Sequence, residues 1–106
     1  MDLTVYWTQF AEEKLEDIFY YYSSKAGLNV AQKLVYELID KTIDLQINPF
    51  IGQKEPLLLN REESFRYLVC GNYKIIYWVN EKQQRIEIMN VFDCRQNPSK
   101  MTSENK

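Results

Sequence analysis

The sequence predicts a two-layer α+β domain of order βααβββ, with a helix hairpin packed on one face of a mainly antiparallel sheet. Three observations predict it. Apolar residues recur every three or four positions over residues 9–47, the period of a helix. The period then changes to two over residues 65–92, the period of a strand. Gly71-Asn72, a two-residue hairpin signal, splits that second region. At 106 residues the chain has the size of one domain.

The elements follow in order. Over residues 2–7, Leu3, Val5 and Trp7 alternate with Thr4 and Tyr6, as in a half-buried strand. Thr8 offers its hydroxyl as a helix N-cap. Ala11, Leu15, Ile18 and Tyr22 then trace one helix face, with Glu12, Glu13, Glu16 and Asp17 turned to solvent. Gly27 stops this helix and Asn29 caps the next. The second helix is expected from Val30 to Ile47, with Ala31, Leu34, Val35, Leu38, Thr42 and Leu45 inward. Pro49 and Gly52 end it. Residues 48–64 read as a loop with a short extended piece at Leu57–Leu59. Phe65 to Cys70, Tyr73 to Val79 and Arg85 to Phe92 form an antiparallel meander, turning at Gly71-Asn72 and over Asn80 to Gln84. The helices cover one face of the sheet, and the other is expected to stay open.

Composition narrows the chemistry. The chain contains no histidine and two cysteines, Cys70 and Cys94. Ser–His or Cys–His catalysis and a structural zinc site are therefore excluded. No cluster suggests a metal or organic cofactor. No apolar run approaches the length of a membrane span, and the first ten residues lack a basic signal-peptide start. A cytoplasmic location with reduced, buried cysteines is the expectation. The formal charge is −2, but it is unevenly spread. Residues 1–53 hold four lysines against eight acids, whereas residues 54–100 hold eight bases, including all four arginines, against six acids. This split reads either as ordinary solvation or as a basic working face on the C-terminal half.

Several stretches together resemble one family. They are Trp7-Thr8 before the first helix, Asn48-Pro49-Phe50-Ile51-Gly52 after the second, and Arg66-Tyr67-Leu68-Val69 with Asn72-Tyr73-Lys74-Ile75-Ile76-Tyr77 in the hairpin. Val91-Phe92-Asp93-Cys94-Arg95-Gln96-Asn97-Pro98 closes the set. In that order the chain resembles the RelE/ParE superfamily of toxins from type II toxin–antitoxin systems, and more closely its ParE-like, plasmid-stabilisation branch. The resemblance implies a toxin domain over residues 1–98, with a polar tail over 99–106. It also implies the βααβββ architecture and a small antitoxin partner. RelE-like members cut mRNA on the ribosome, and ParE-like members inhibit DNA gyrase.

Cleavage of RNA needs a base, charge stabilisation at the phosphate and an acid. If the chain were RelE-like, the resemblance would give Arg66, Arg95 and Lys54 those duties. Arg66 would fork onto phosphate oxygens, as a guanidinium can. The alternatives are a solvated or ion-paired Arg66, an Arg95 tied to nearby Asp93, and a solvated Lys54. Glu62 and Glu63 lie where some members carry an acidic base, but loop solvation explains them equally. No tyrosine follows Arg95, so the expected C-terminal aromatic acid is missing. Tyr73 and Tyr77 are substitutes only if they are not core residues. Partner contact is expected from Arg66, Lys74, Trp78, Arg95, Tyr20 and Tyr21, because aromatic and arginine side chains concentrate at interfaces. Three readings remain open: a gyrase-directed toxin without chemistry of its own, a ribosome-dependent endonuclease, and an inactive member that only binds antitoxin. Whether the chain is an enzyme depends on which holds. A homodimer of the unbound toxin would hide exposed aromatics.

Overall fold

The computed structural model describes residues 3–96. The tail expected over 99–106 lies outside the described residues. Chain order runs β1 (Thr4–Trp7), α1 (Gln9–Ala26), α2 (Leu28–Ile43), β2 (Gln53–Lys54), β3 (Arg66–Cys70), β4 (Tyr73–Asn80) and β5 (Arg85–Asp93). Single 3-10 turns cover Asp44–Gln46 and Pro56–Leu58. No described helix is long and apolar enough to cross a membrane.

Thr8 caps α1, accepting from the Ala11 N–H at 3.2 Å. Its hydroxyl also donates to the Ile88 carbonyl at 2.9 Å, which pins the β1–α1 corner to β5. The helix hairpin turns on one residue. The Gly27 N–H closes α1 on the Tyr22 carbonyl at 3.0 Å, and the Gly27 carbonyl opens α2 by accepting from Ala31 at 3.2 Å. Gly27 does this at φ 103, where a β-carbon is strained. The expected Asn29 cap is therefore displaced: α2 starts at Leu28, with Asn29 already helical. Its α-helical part ends at Ile43, and the last expected turn tightens into 3-10 geometry.

The sheet order is β1-β5-β4-β3-β2. Among these pairings only β1–β5 is parallel: the helix hairpin carries the chain from β1 to the far edge, and the meander brings β5 back beside β1. A two-residue edge strand, β2, joins the predicted set by pairing with Arg66 and Tyr67. Leu57–Leu59 is not extended: Pro56 leads a 3-10 turn there, consistent with its fixed φ. β5 carries an extra residue. Ile76 faces Asn90 and Tyr77 faces Ile88, so Met89 is bulged. Ile86 and Ile88 meet the helices on one side of this bulge, and Val91 meets them on the other. Uninterrupted alternation through residue 92 would have placed Val91 on the opposite face.

The main core lies between the helices and the sheet and includes Ala11, Leu15, Leu38, Leu45, Ile75, Tyr77 and Ile86. The opposite face is not left open. Leu58, Phe65, Ile76 and Phe92 bury one another there, with Tyr67, Trp78 and Met89 packed around them. Leu58 and Phe65 come from the 56–65 segment, whose hydrophobic residues need cover as much as the sheet does.

That segment starts from a latch. Tyr77 is fully buried. Its hydroxyl donates to the Pro49 carbonyl and accepts from the Gly52 N–H, both at 2.9 Å. A β-carbon on Gly52 would lie 2.6 Å from that hydroxyl and 2.7 Å from the Tyr67 carbonyl oxygen. Gly52→Ala should therefore cost about 1–3 kcal/mol by overpacking, and Tyr77→Phe a similar amount, about 1–3 kcal/mol, by orphaning two buried backbone groups. Urea denaturation of both variants measures this; unchanged midpoints would refute the latch.

Candidate functional site

At the C-terminal end of β5 the chain forms a cleft of about 480 Å³ against α1. Lys14, Asp17 and Tyr21 line it from the helix, and Tyr73, Asp93 and Arg95 line it from the sheet side. The helix period places the first three on one side of α1. Asp93 reaches this side because of the bulge at Met89.

Arg95 grips Asp93 with two parallel bonds, Nε to Oδ1 at 2.9 Å and Nη2 to Oδ2 at 2.8 Å. Its backbone N–H donates to Oδ1 as well, at 2.9 Å. Nη2 also donates to the Tyr22 hydroxyl at 3.3 Å. The Arg95 hydrogen bonds hold the Asp93 carboxyl below the usual range. Tyr22 sits below the usual phenol value, because its oxygen accepts from Arg95 and then from Tyr73. Tyr73 is pushed the other way, first by burial and then by donating to Tyr22. The cleft thus holds a charge-balanced set, Lys14 and Arg95 against Asp17 and Asp93.

The other sequence candidates lie apart from this cleft. Arg66 Nη1 donates to the Gly52 carbonyl at 2.8 Å and the Phe50 carbonyl at 3.3 Å, and its guanidinium stands 5.3 Å over the Phe50 ring. It holds the loop that the latch anchors. Lys54 is exposed on edge strand β2, opposite Arg66. Lys74 contacts both Glu55 oxygens at 3.3 Å and stands 4.2 Å over the Tyr67 ring. Trp78 is half-buried against the small core. Tyr77 is wholly core, and Glu62 and Glu63 lie in the loop before β3. Tyr20 and Tyr21 are exposed, as a partner surface would need, and each stacks edge-on to a neighbouring ring, Phe19 and Tyr22 respectively. The arginines do not form one basic face: Arg85 pairs with Glu87 at 3.1 Å and stacks on Tyr6 at 4.1 Å.

Both cysteines are free. Cys70 is partly buried, and burial pushes its thiol up. Cys94 is exposed, contrary to expectation, because it falls in the turn after β5. The pair do not face one another, since Cys70 lies opposite Tyr73, and Tyr73 lies between it and β5.

Sequence reasoning missed two partners. Glu55 is completely buried, and only its salt bridge to Lys74 explains a carboxylate there. A hydrophobic 56–59 stretch beside a lone acid was the available signal. Tyr22 reads as a helix-face packer, but its hydroxyl joins the Arg95 cluster.

Two outcomes follow from this geometry. Lys74→Ala should destabilise the fold by about 3 kcal/mol, because it strands a buried carboxylate; chemical denaturation measures it. The depressed Asp93 carboxyl stabilises the fold above its unfolded value near 3.8 and loses that contribution as pH falls through the lower folded value. Arg95→Ala should return the Asp93 titration, followed by NMR, upward toward 3.8. An unmoved titration would show that Arg95 is not the cause.

Comparison with known proteins supplies the remaining constraint. The sequence matches the ParE toxin family of type II toxin–antitoxin systems (parDE) over residues 5–98. No curated protein matches it in sequence. Among solved structures, a chain of the chromosomal ParDE toxin–antitoxin system from P. aeruginosa superposes with a TM-score of 0.70 at 20% identity, covering 86% of this chain and 95% of the other. A chain of the RelBE2 toxin–antitoxin complex from Mycobacterium tuberculosis superposes at 0.63 with 18% identity, covering 88% and 99%. At these identities the superpositions speak for the fold, two helices on a mixed five-stranded sheet. The family match spans nearly all of the described chain, and the chain belongs to the ParE toxin family of type II toxin–antitoxin systems.

Proposed function

We propose that this toxin inhibits growth by docking onto DNA gyrase in the cytoplasm, that a small antitoxin neutralises it, and that the pair stabilises the replicon that encodes them. The observation that carries the reading is the commitment of three of the four candidate cations to internal partners, Lys54 alone of them standing exposed. Arg66 is bound to backbone carbonyls, Lys74 to Glu55 and Arg95 to Asp93. Two carboxylates offset the two cations of the cleft, whereas a phosphate backbone calls for an excess of positive charge. Tyr20 and Tyr21 stand exposed on α1 for a protein partner. The similar ParDE and RelBE2 structures are of toxin–antitoxin systems, which supports the antitoxin partner here. Without antitoxin, two copies of the chain associate.

One observation favours a second reading, the ribosome-dependent endonuclease. Tyr22 sets a phenol hydroxyl 3.3 Å from Arg95 Nη2, an ionisable group beside a cation. Supercoiling by purified gyrase and mRNA integrity in a translating extract, assayed in parallel, separate the two. Gyrase inhibition with intact mRNA is the expected result, and Tyr22→Phe should leave it unchanged. Cleaved mRNA, with a loss of about 10²-fold in Tyr22→Phe, would overturn the gyrase reading in favour of the endonuclease. Inactivity in both assays would overturn it in favour of a chain that only binds antitoxin.

A further inference from the structure

Half of the small core on the far face of the sheet comes from one segment, Glu55–Phe65. The Glu55 N–H donates to the Phe65 carbonyl at 2.9 Å and draws the two ends of the segment together. Inside it, the Leu58 N–H donates to the Glu55 carbonyl at 3.1 Å and the Arg61 N–H to the Leu58 carbonyl at 3.2 Å. These bonds tie the segment to itself, as in a compact surface loop, and none of them reaches the sheet. The last ladder rung before it is Lys54 opposite Arg66. Leu58 and Phe65, packed on Ile76 and Phe92, fasten it to the sheet, together with the Glu55 carboxylate on Lys74.

Two polar groups on the covered side weaken that fastening. Glu55 is fully buried, and taking its carboxylate out of water offsets much of its attraction to Lys74. Asn90 is fully buried as well. It lies opposite Ile76 in the β4–β5 ladder, so it shares the face that carries the small core. Neither its side-chain oxygen nor its nitrogen has a hydrogen-bond partner among the described residues. A leucine would occupy that place without an unpaired amide.

We propose that Glu55–Phe65 is a flap, which swings off the sheet as one unit about the Lys54–Arg66 rung while the Tyr77 latch and the strands stay in place. Asn90 is the residue that keeps its closure weak. Closed, the flap lets Leu58, Phe65, Ile76 and Phe92 bury one another. Open, it returns Glu55 and Asn90 to water, which offsets the exposure of the apolar four. The device sets how often the far face of the sheet is uncovered.

Native-state hydrogen exchange of the full chain, followed by NMR in rising but non-denaturing urea, tests this. The Glu55, Leu58 and Arg61 amides should exchange about 10²-fold or more faster than the ladder amides of β4 and β5. Their rates should rise in parallel with urea, because one opening exposes them all. Asn90→Leu should slow these three amides about tenfold, since it removes the unpaired group from the closed form. Lys74→Ala should speed them about tenfold or more, since it strands the Glu55 carboxylate. Flap amides that exchange only as slowly as the strands would overturn the flap. So would rates that ignore urea or follow three unrelated dependences, because neither describes one moving unit. Flap amides that exchange as before, or faster, in Asn90→Leu would overturn the role of Asn90. The wild-type pattern needs no variant, so a variant that fails to fold leaves the test standing. Gyrase, mRNA and antitoxin take no part in these measurements, so their failure is distinct from failure of the target reading.

Discussion

A single phenol holds the two halves of this molecule in register. The Tyr77 hydroxyl rises from the centre of the sheet and bonds to both ends of the Pro49–Gly52 corner, one as donor and one as acceptor. Leaving buried polar groups of this kind unpaired is costly, and here all three find partners. With the corner fixed, Gln53 and Lys54 lie alongside β3 as an edge strand. Arg66 then finds the Gly52 and Phe50 carbonyls within reach. The chain next delivers Glu55 to Lys74 and Leu58 to the small core. The far face of the sheet is therefore covered as a consequence of a contact made on the helix side.

The same economy governs the charges. A sequence with four arginines in its second half invites a reading as a phosphate-binding surface. In the fold, Arg66 steadies a loop, Arg85 pairs with Glu87 beside Tyr6, and Arg95 closes on Asp93. Each sits on a different part of the sheet. These bonds fix where each guanidinium stands, although none of the guanidiniums uses all five of its N–H donors in them.

The parts legible in the sequence were those governed by period and by local turn chemistry. Thr8 as a cap, Gly27 as a stop, Gly71-Asn72 as a hairpin turn and the inward positions of both helices required only neighbours along the chain. The parts that were illegible depend on partners distant in sequence. Nothing near Glu55 announces Lys74, 19 residues later. Nothing near Arg66 shows that its first contacts are carbonyls 14 and 16 residues earlier. The bulge at Met89 escaped because Ile86, Ile88, Asn90 and Phe92 satisfy a plain alternation on paper. The candidate site was legible as a set of residue types, but its membership was not. Arg95 and Tyr73 belong to one cleft, Arg66 and Lys54 to another edge, and Tyr22 entered through a hydroxyl that helical periodicity ignores.

The bulge in β5 makes the cleft a matter of counting. Up to Ile88 the strand is indexed to β1 and the helices, and beyond Met89 its inward positions advance by one. What matters at position 89 is less the side chain than the presence of a residue. Losing that residue would turn Asp93 and Val91 through the sheet and leave the first half of the strand where it is. The cleft is therefore set by chain length: a chain one residue shorter here would keep the first half of the strand and lose the acid that Arg95 grips.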